Sequence, residues 1–194
     1  MNFEYETSRL KLKILNDQTE YILQVLDFFK RNRSIFEKYE PLRAENFYTE
    51  NYHATLLHCE HELFLKLHEI RYWIYEKTDP NRIIGTVCFH NIIRSEFQRC
   101  TIGYKLDRDF WHLGMAKEAV SFLVTQIFKD LGLHRIEAYV MPKNLNSIYL
   151  LDSLGFKREG LCRHTAKIQG RWTDHFLYAL ISEDKEADLS FSEI

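Results

Sequence analysis

The sequence predicts an α/β fold: a mixed, mostly antiparallel sheet with a central βαβ crossover and helices on both faces. Three observations predict it: an alternating strand pattern near the N-terminus, a meander of strands in the middle, and an amphipathic helix between two later strands. A meander followed by a strand–helix–strand unit gives a mixed sheet, because the crossover pairs its two strands in parallel. No repeat or Pro/Gly/Ser-rich linker divides the 194 residues, so we expect a single domain over 1–194.

The N-terminal third is predicted to contain one strand and two helices. Residues 9–15 alternate apolar and charged side chains, which is the pattern of a half-buried strand. Asp17 followed by Glu20 resembles the start of a helix, and apolar residues then recur at helical spacing. Residues 34–48 are irregular, and a second helix is predicted over 50–66.

The middle of the chain is predicted to form a three-stranded meander. Residues 72–76 and 83–92 have the composition of strands, and the sequence Thr-Asp-Pro-Asn at 78–81 is a strong turn signal between them. Residues 101–106 are predicted to be the third strand, which leads into the crossover helix.

The C-terminal half is predicted to alternate helices and strands. The amphipathic helix covers 114–131 and ends at Gly132, where a C-terminal cap belongs. The elements predicted after it are a strand over 136–141, a short helix over 147–154 and a strand pair over 163–168 and 172–181. Gln169-Gly170 is the expected hairpin turn of that pair, and the acidic segment 183–194 is expected to fray.

Composition and charge narrow the class of protein. Hydrophobic residues make up 45% of the chain and aromatic residues 14%, so a core can form and disorder is excluded. The 26 basic and 28 acidic residues are interspersed, without the basic block that is typical of nucleic-acid binding. The N-terminus lacks the order of a signal peptide, no apolar run approaches the roughly 20 residues that span a bilayer, and the four cysteines form no CxxC. We therefore expect a cytoplasmic protein that binds neither membrane nor nucleic acid.

The segment from Tyr104 to Ala116 carries the most information about function. A strand ends, a short turn follows, and a helix begins at Gly114. Such a turn points several backbone N–H groups in one direction at the positive end of a helix dipole, where a pyrophosphate can bind. Gly114 has no Cβ to obstruct the phosphates, and the absence of GxGxxG and GxxxxGK[ST] removes the usual support for Rossmann and P-loop sites. On this fragment alone, a tight connection without a ligand is an equal alternative.

The loop Trp111-His-Leu-Gly-Met-Ala116 resembles the acetyl-CoA loop of the GNAT acetyltransferases, in which Q/R-x-x-G-x-G/A precedes the central helix. The RimJ/RimL group of ribosomal-protein N-terminal acetyltransferases often has Trp-Gly-x-Gly-x-Ala there, and His112 takes the place of its first glycine. Segments similar to this group occur, in the same order as in the group, at 32–33, 37–49, 133–140, 142–147, 154–160 and 170–175. The resemblance covers most of residues 9–181 and implies a GNAT-like α/β fold.

The resemblance implies acetyl-CoA as the co-substrate, with its pantetheine arm in a splay between two parallel strands. The implied binding residues are Tyr104, Lys105, Leu106 and Asn144 at the pantetheine, and His112, Leu113, Gly114, Met115 and Ala116 at the pyrophosphate. Backbone amides do most of this binding in the family, so side-chain identity should matter most at Gly114 and Asn144.

The resemblance also implies two catalytic residues. Ser147 aligns with a serine proposed to protonate the departing CoA thiolate, and capping of a helix is its alternative role. Glu159 matches a glutamate suggested to draw a proton from the amine through water, and a solvated carboxylate is the alternative. The glutamate that many members carry before Ile-Gly-Tyr is Thr101 here, so that base is absent. His90 and Glu137 are weaker candidates for the base.

Two other kinds of site lack their signatures in this sequence. The segment His-Cys-Glu-His-Glu at 58–62, with His68 beyond it, contains metal-ligand residue types, but HExxH is absent and the helix is predicted to be exposed. No G-x-S-x-G elbow surrounds Ser147, so a Ser-His-Asp hydrolase is discounted. We therefore expect no metal and no covalent enzyme intermediate.

The implied acceptor is a primary amine, which must be neutral to attack. An α-amino group has a pKa of about 7.8 and a lysine about 10.4, so near neutral pH the α-amine costs about 3.5 kcal/mol less to deprotonate. A site without an obvious strong base therefore suits a peptide or protein N-terminus, such as that of a ribosomal protein. A small amine (an amino acid, a polyamine or an aminoglycoside) and a catalytically idle acyl-CoA-binding module are the alternatives, and a homodimer is left open.

The irregular segment before the second helix is expected to line an open acceptor cleft. Its three glutamates, Glu37, Glu40 and Glu45, are expected to attract a positively charged amine or a basic peptide.

Overall fold

The computed structural model describes residues 1–184, in which eight strands form one sheet in the order β1-β2-β3-β4-β5-β6-β8-β7. The strands are β1 Glu4–Glu6, β2 Leu10–Lys13, β3 Ile70–Glu76, β4 Asp79–Ile93, β5 Arg99–Leu106, β6 Arg135–Val140, β7 Lys157–Ile168 and β8 Arg171–Ile181. The helices are α1 Thr19–Arg31, α2 Arg33–Phe36, α3 Glu50–Leu65, α4 Met115–Leu131 and α5 Leu145–Ser153, with 3-10 turns at Glu37–Tyr39 and Arg108–Phe110. β5 and β6 run parallel through the α4 crossover, and the other neighbouring strands run antiparallel. The predicted architecture is confirmed.

Both faces of the sheet are covered because β3 is apolar on both sides. Tyr72 and Ile74 pack with residues of α4 in one core, whereas Trp73 and Tyr75 pack with residues of α1 and α3 in the other. Successive side chains of a strand point to opposite faces, so this continuous apolar run buries both surfaces of the central sheet. The helices predicted on both faces follow from it.

The feature that positions the site is the short ladder between β5 and β6. The two strands pair only over Arg99–Thr101 and Arg135–Glu137 within the described chain. β5 then continues to Leu106 and β6 to Val140, and residues of both segments line one cleft. This divergence of two parallel strands is the splay that the family resemblance implies.

Several element boundaries differ from the predictions. The short β1 was not predicted, and the β3–β4 turn lies at Lys77-Thr78 because Glu76 already pairs with Asp79. β7 begins at Lys157, six residues earlier than expected, because it is an exposed edge strand without a readable apolar alternation. The Gln169-Gly170 turn is confirmed, with φ of +46° and +77° as a type I′ hairpin requires. The prediction for 183–194 falls almost entirely outside the described residues.

Candidate active site

The turn between β5 and α4 has the backbone geometry of an anion site. His112 and Gly114 both adopt left-handed backbone, with φ of +61° and +76°. The first hydrogen bond of α4 runs from the N–H of Glu118 to the carbonyl of Gly114, at 3.0 Å. The N–H groups of residues 115–117 therefore lack an intrahelical acceptor and lie at the positive end of the helix dipole. The loop can receive a pyrophosphate through backbone groups alone.

A hydrogen-bond network between Glu118 and residues 7–9, which the sequence did not predict, contacts this loop on the side of β2. Glu118 accepts hydrogen bonds from Thr7 Oγ1 at 2.6 Å, Ser8 Oγ at 2.9 Å, and the backbone N–H and Nε of Arg9 at 2.9 and 2.7 Å. Arg9 Nη1 in turn donates to the carbonyl of Leu113 at 2.9 Å. Burial alone would raise the pKa of Glu118, but these hydrogen bonds lower it to about 2.

We expect Glu118→Gln to lower the free energy of unfolding by about 2 kcal/mol at neutral pH, because hydrogen bonds to a charged group are lost. The folded pKa of Glu118 lies below the unfolded value of about 4.3, so its stabilisation is present above that value and is lost as pH falls towards the folded pKa. Urea unfolding at several pH values should show the wild type losing its advantage over the variant in this acid range. Glu96→Gln, at an exposed position, is the control variant. If the stability of wild type and Glu118→Gln changed in parallel with pH, the ionised carboxylate of Glu118 would not stabilise the fold as proposed.

The edge of β5 that faces the splay is formed by Tyr104 and Leu106, and their predicted contact with pantetheine stays a prediction. The carbonyl of Leu106 is already engaged, since the indole N–H of Trp111 donates to it at 3.0 Å. Lys105 departs from its predicted role: its carbonyl faces β4, where a Cβ on Gly85 would lie 2.7 Å from it. Neighbouring residues of a strand direct their backbone groups to opposite edges. Lys105 therefore offers no backbone group to the pantetheine, and its side chain lies on the other face of the sheet.

The remaining candidate cofactor-binding residues differ in which of their groups can reach a ligand in the cleft. His112, Gly114, Ala116 and Asn144 line the cleft. The side chain of Met115 is buried in the core, so Met115 can contribute only backbone groups. The side chain of Leu113 is exposed, and its carbonyl accepts from Arg9. Asn144 is the N-cap of α5, and its Oδ1 accepts from the backbone N–H of Ser147 at 3.4 Å. Its amide N–H₂ stays available to a ligand in the cleft.

Ser147 lies in the cleft wall with its hydroxyl 2.7 Å from the hydroxyl of Tyr104. The alternative role of Ser147 as a helix cap is not what the structure shows, because Asn144 occupies the cap. Burial raises the pKa of Tyr104, so its phenol stays protonated and can donate to Ser147. The two hydroxyl groups form a short chain that ends in the splay.

Glu159 lies elsewhere, on the edge strand β7, with β8 and β6 between it and β5. Both of its carboxylate oxygens contact the guanidinium of Arg135, one at 2.8 Å, and these hydrogen bonds lower the pKa of Glu159. Arg135 also binds Glu137 at 2.8 Å, and Arg99 binds Glu137 at 3.0 Å, so the four side chains form one ion-pair network. Glu159 does not line the cleft, and the structure does not bring it together with Ser147. Its role as a base stays a prediction.

The part of the cleft on the sheet face opposite α4 includes the segment that is expected to bind the acceptor, and its charges are paired. Lys105 Nζ is 2.8 Å from Glu40 Oε1, and the other oxygen of Glu40 contacts Arg43. Glu37 binds Arg33 at 3.0 Å. Two of the three glutamates expected to attract a basic acceptor are therefore neutralised by neighbouring cations. The other polar lining residues here are Arg71, Thr86, Cys88 and His90.

The 58–62 segment has a structural role that the sequence did not indicate. Glu60, which was expected to be exposed, is buried, and its carboxylate is 2.6 Å from Arg71 Nε. Across residues 1–184, no group of three or more His, Cys, Asp or Glu side chains is placed to hold a metal ion. In the same part of the chain, every helix is too short or too polar to cross a bilayer.

A mixed sheet that opens between two parallel strands, beside a helix N-terminus with a glycine-containing anion turn, is the arrangement that the family resemblance implies for a transferase that binds a pyrophosphate-linked acyl carrier. The family model described as "Acetyltransferase (GNAT) domain" matches residues 23–157, and the chain belongs to this family.

Known relatives agree with this assignment. The chain is 39% identical to "Probable N-acetyltransferase YjcK" of Bacillus subtilis over 80% of its length and 85% of that protein. It is 31% identical to the [ribosomal protein uS5]-alanine N-acetyltransferase of Escherichia coli over 92% of its length and 90% of that enzyme. The crystal structure of the ribosomal-protein-S5-alanine acetyltransferase of Vibrio fischeri superimposes with a TM-score of 0.87 at 30% identity, covering 94% of this chain and 98% of that one. The protein is an acetyl-CoA-dependent N-acetyltransferase related to the RimJ/RimL group.

Proposed function

We propose that this enzyme transfers the acetyl group of acetyl-CoA to the N-terminal amino group of a protein, with a ribosomal protein as the leading candidate. The observation that supports this acceptor is the shape of the cleft. It has a volume of about 730 Å³ and is lined both by the β5–β6 splay and by Ile35, Phe36, Tyr39 and Glu40. Tyr39, Tyr139 and Tyr149 stand exposed around it, and tyrosines offer amphipathic contacts that suit a polypeptide.

The relatives that act on the alanine of ribosomal protein S5 support the same acceptor class, since they are similar over nearly the whole chain. A ribosomal-protein acceptor would place the reaction in the cytoplasm.

The proposed reaction is direct transfer. The neutral amine attacks the thioester carbonyl carbon, a C–N bond forms and the C–S bond breaks. Ser147 gives a proton to the departing sulfur and regains one from the amine, while Tyr104 holds its hydroxyl at 2.7 Å. Residues 115–117 hold the pyrophosphate through their N–H groups, and Asn144 lines the pantetheine channel.

The test measures acetyl-CoA-dependent thiol release with matched acceptors. A peptide that begins with Ala and carries internal lysines should be turned over, whereas the same peptide with a blocked N-terminus should not. Mass spectrometry of the product should place the acetyl group on the α-amine. Strong turnover of spermidine, an aminoglycoside or a free amino acid, with none on the open peptide, would contradict the proposal and favour a small-molecule acceptor.

A further inference from the structure

Lys105 is a cation in the active-site cleft that the transfer steps above do not use. It follows Tyr104 on β5, so the two side chains point to opposite faces of the sheet. Tyr104 reaches Ser147 on the α5 side, whereas Lys105 lines the part of the same cleft on the face opposite α4. A thioester in the splay would therefore lie between Ser147 on one face and Lys105 on the other.

Most elements packed against Lys105 bring a charged or titratable group to it, whereas α1 contributes the ring of Phe29. The charged or titratable groups are Glu40 and Arg43 after α2, Glu60 of α3, Arg71 of β3, and Cys88 and His90 of β4. Burial, together with Arg71 and Arg43, lowers the pKa of Lys105 to about 7, against the opposing effects of Cys88 and Glu60. Glu40 does not hold the proton on Lys105 with its full charge, because its carboxylate also binds Arg43.

Other possible bases are absent, distant or differently placed. Thr101 stands where the family resemblance implies a glutamate, and Glu159 is held by Arg135 away from the cleft. His90 also lines the cleft, but it lies opposite Thr101, where β5 and β6 are still paired. Lys105 lies beside the open part of the splay.

We propose that Lys105 is the catalytic base that accepts the proton of the acceptor ammonium. The ammonium N–H bond breaks, and its proton binds the lone pair of Nζ. The amine lone pair then attacks the thioester carbonyl, and the second amine proton reaches the leaving sulfur through Ser147. Lys105 returns its proton to water after the products leave. The inference rests on amine acetylation and holds whether the amine belongs to a protein N-terminus or to a small molecule.

The experiment is a set of pH profiles of kcat/KM with two acceptors whose amines have different pKa values. In the wild type, the profile should rise on a limb near neutrality that stays fixed when the acceptor is changed, because Lys105 must be neutral while the acceptor arrives as the ammonium. Lys105→Met should lose the fixed limb and fall roughly 100-fold near neutral pH, with recovery above the amine's pKa. Lys105→Arg keeps the charge beside Glu40 but cannot release a proton, so it should be as slow as Lys105→Met. Lys129→Met, at an exposed position on α4, is the control.

A second measurement reads the titration of Lys105 without catalysis. The pH dependence of its labelling by an amine-selective acylating reagent, followed by mass spectrometry, should give a pKa near that of the fixed limb. Glu40→Gln should lower this value by about one unit or more, because an opposite charge is removed. If Lys105→Met folds poorly, the double variant Lys105→Met with Glu40→Gln is used in its place, because it leaves neither charge of the pair without its partner.

Three results would overturn the proposal: full activity in Lys105→Arg, a fixed limb that persists in Lys105→Met, or loss of that limb in His90→Gln or Glu159→Gln instead. If the peptide acceptor is not turned over, the proposed function fails but the role of Lys105 can still be tested. The fixed limb would then appear with the small amine that is turned over.

Discussion

Gly114→Val is expected to weaken CoA binding at least tenfold. The backbone of Gly114 has φ of +76°, a region that β-branched residues hardly enter. The turn must therefore change its path, and the N–H groups of residues 115–117 would no longer converge on the pyrophosphate. A tenfold change corresponds to about 1.4 kcal/mol, which is less than the cost of losing even one hydrogen bond to a charged group. Isothermal titration calorimetry with CoA measures it.

The other end of the same helix supplies a matched control. Gly132 caps α4 with φ of +61°, and a Cβ there would meet no atom within 4 Å. Gly132→Val should therefore strain the backbone as much as Gly114→Val, and lower the melting temperature by a similar amount, while CoA affinity stays at the wild-type value. Equal CoA affinities for the two variants would show that the phosphate loop has been assigned to the wrong turn.

Ser147→Ala is expected to reduce kcat by roughly 100-fold or less, with CoA affinity nearly unchanged. The effect is at the low end for a general acid, because a thiol with a pKa of about 8.5 leaves tolerably well as thiolate. Tyr104 gives the sharper test, since its hydroxyl contacts that of Ser147. If Tyr104 acts through Ser147, adding Tyr104→Phe to Ser147→Ala should cost little more than Ser147→Ala alone.

Single-turnover rates measured at saturating acceptor would separate chemistry from product release in these variants. Ser95→Ala, at an exposed position outside the cleft, is the control for loss of a hydroxyl. An unchanged single-turnover rate in Ser147→Ala would leave Ser147 as a wall residue that holds α5 against β5.

The parts of the fold that the sequence predicted are those governed by local pattern. α4 was delimited by glycines at both ends, and the left-handed backbone of Gly132 is that of the predicted C-terminal cap. The start of β7 was missed because an exposed edge strand needs no apolar alternation. The sequence left the cap of α5 open: Asn144, Asn146 and Ser147 are all suitable residue types, and only the structure shows that the side chain of Asn144 meets the free N–H.

The site divides in the same way. The phosphate loop was predictable because its residues are contiguous and its chemistry resides in the backbone. Glu118 was not, since its partner Arg9 lies 109 residues away and meets it only through the fold. Lys105 could have been placed better from the sequence, because strand alternation alone puts it on the face opposite Tyr104. The pairing of Lys105 with Glu40 could not have been predicted, because it depends on the path of the irregular segment after α2.

Because β5 and β6 diverge, the backbone polar groups of Tyr104 have no partner strand on the β6 side among residues 1–184. These groups lie inside the sheet and not at its edge. The amides of pantetheine could pair with these groups as an additional strand would, and we expect the co-substrate to complete the sheet there. Amide hydrogen exchange over residues 102–106 should then slow when CoA is added, and susceptibility to proteolysis should fall with it. The supply of acetyl-CoA in the cell would thereby influence the lifetime of the enzyme as well as its rate.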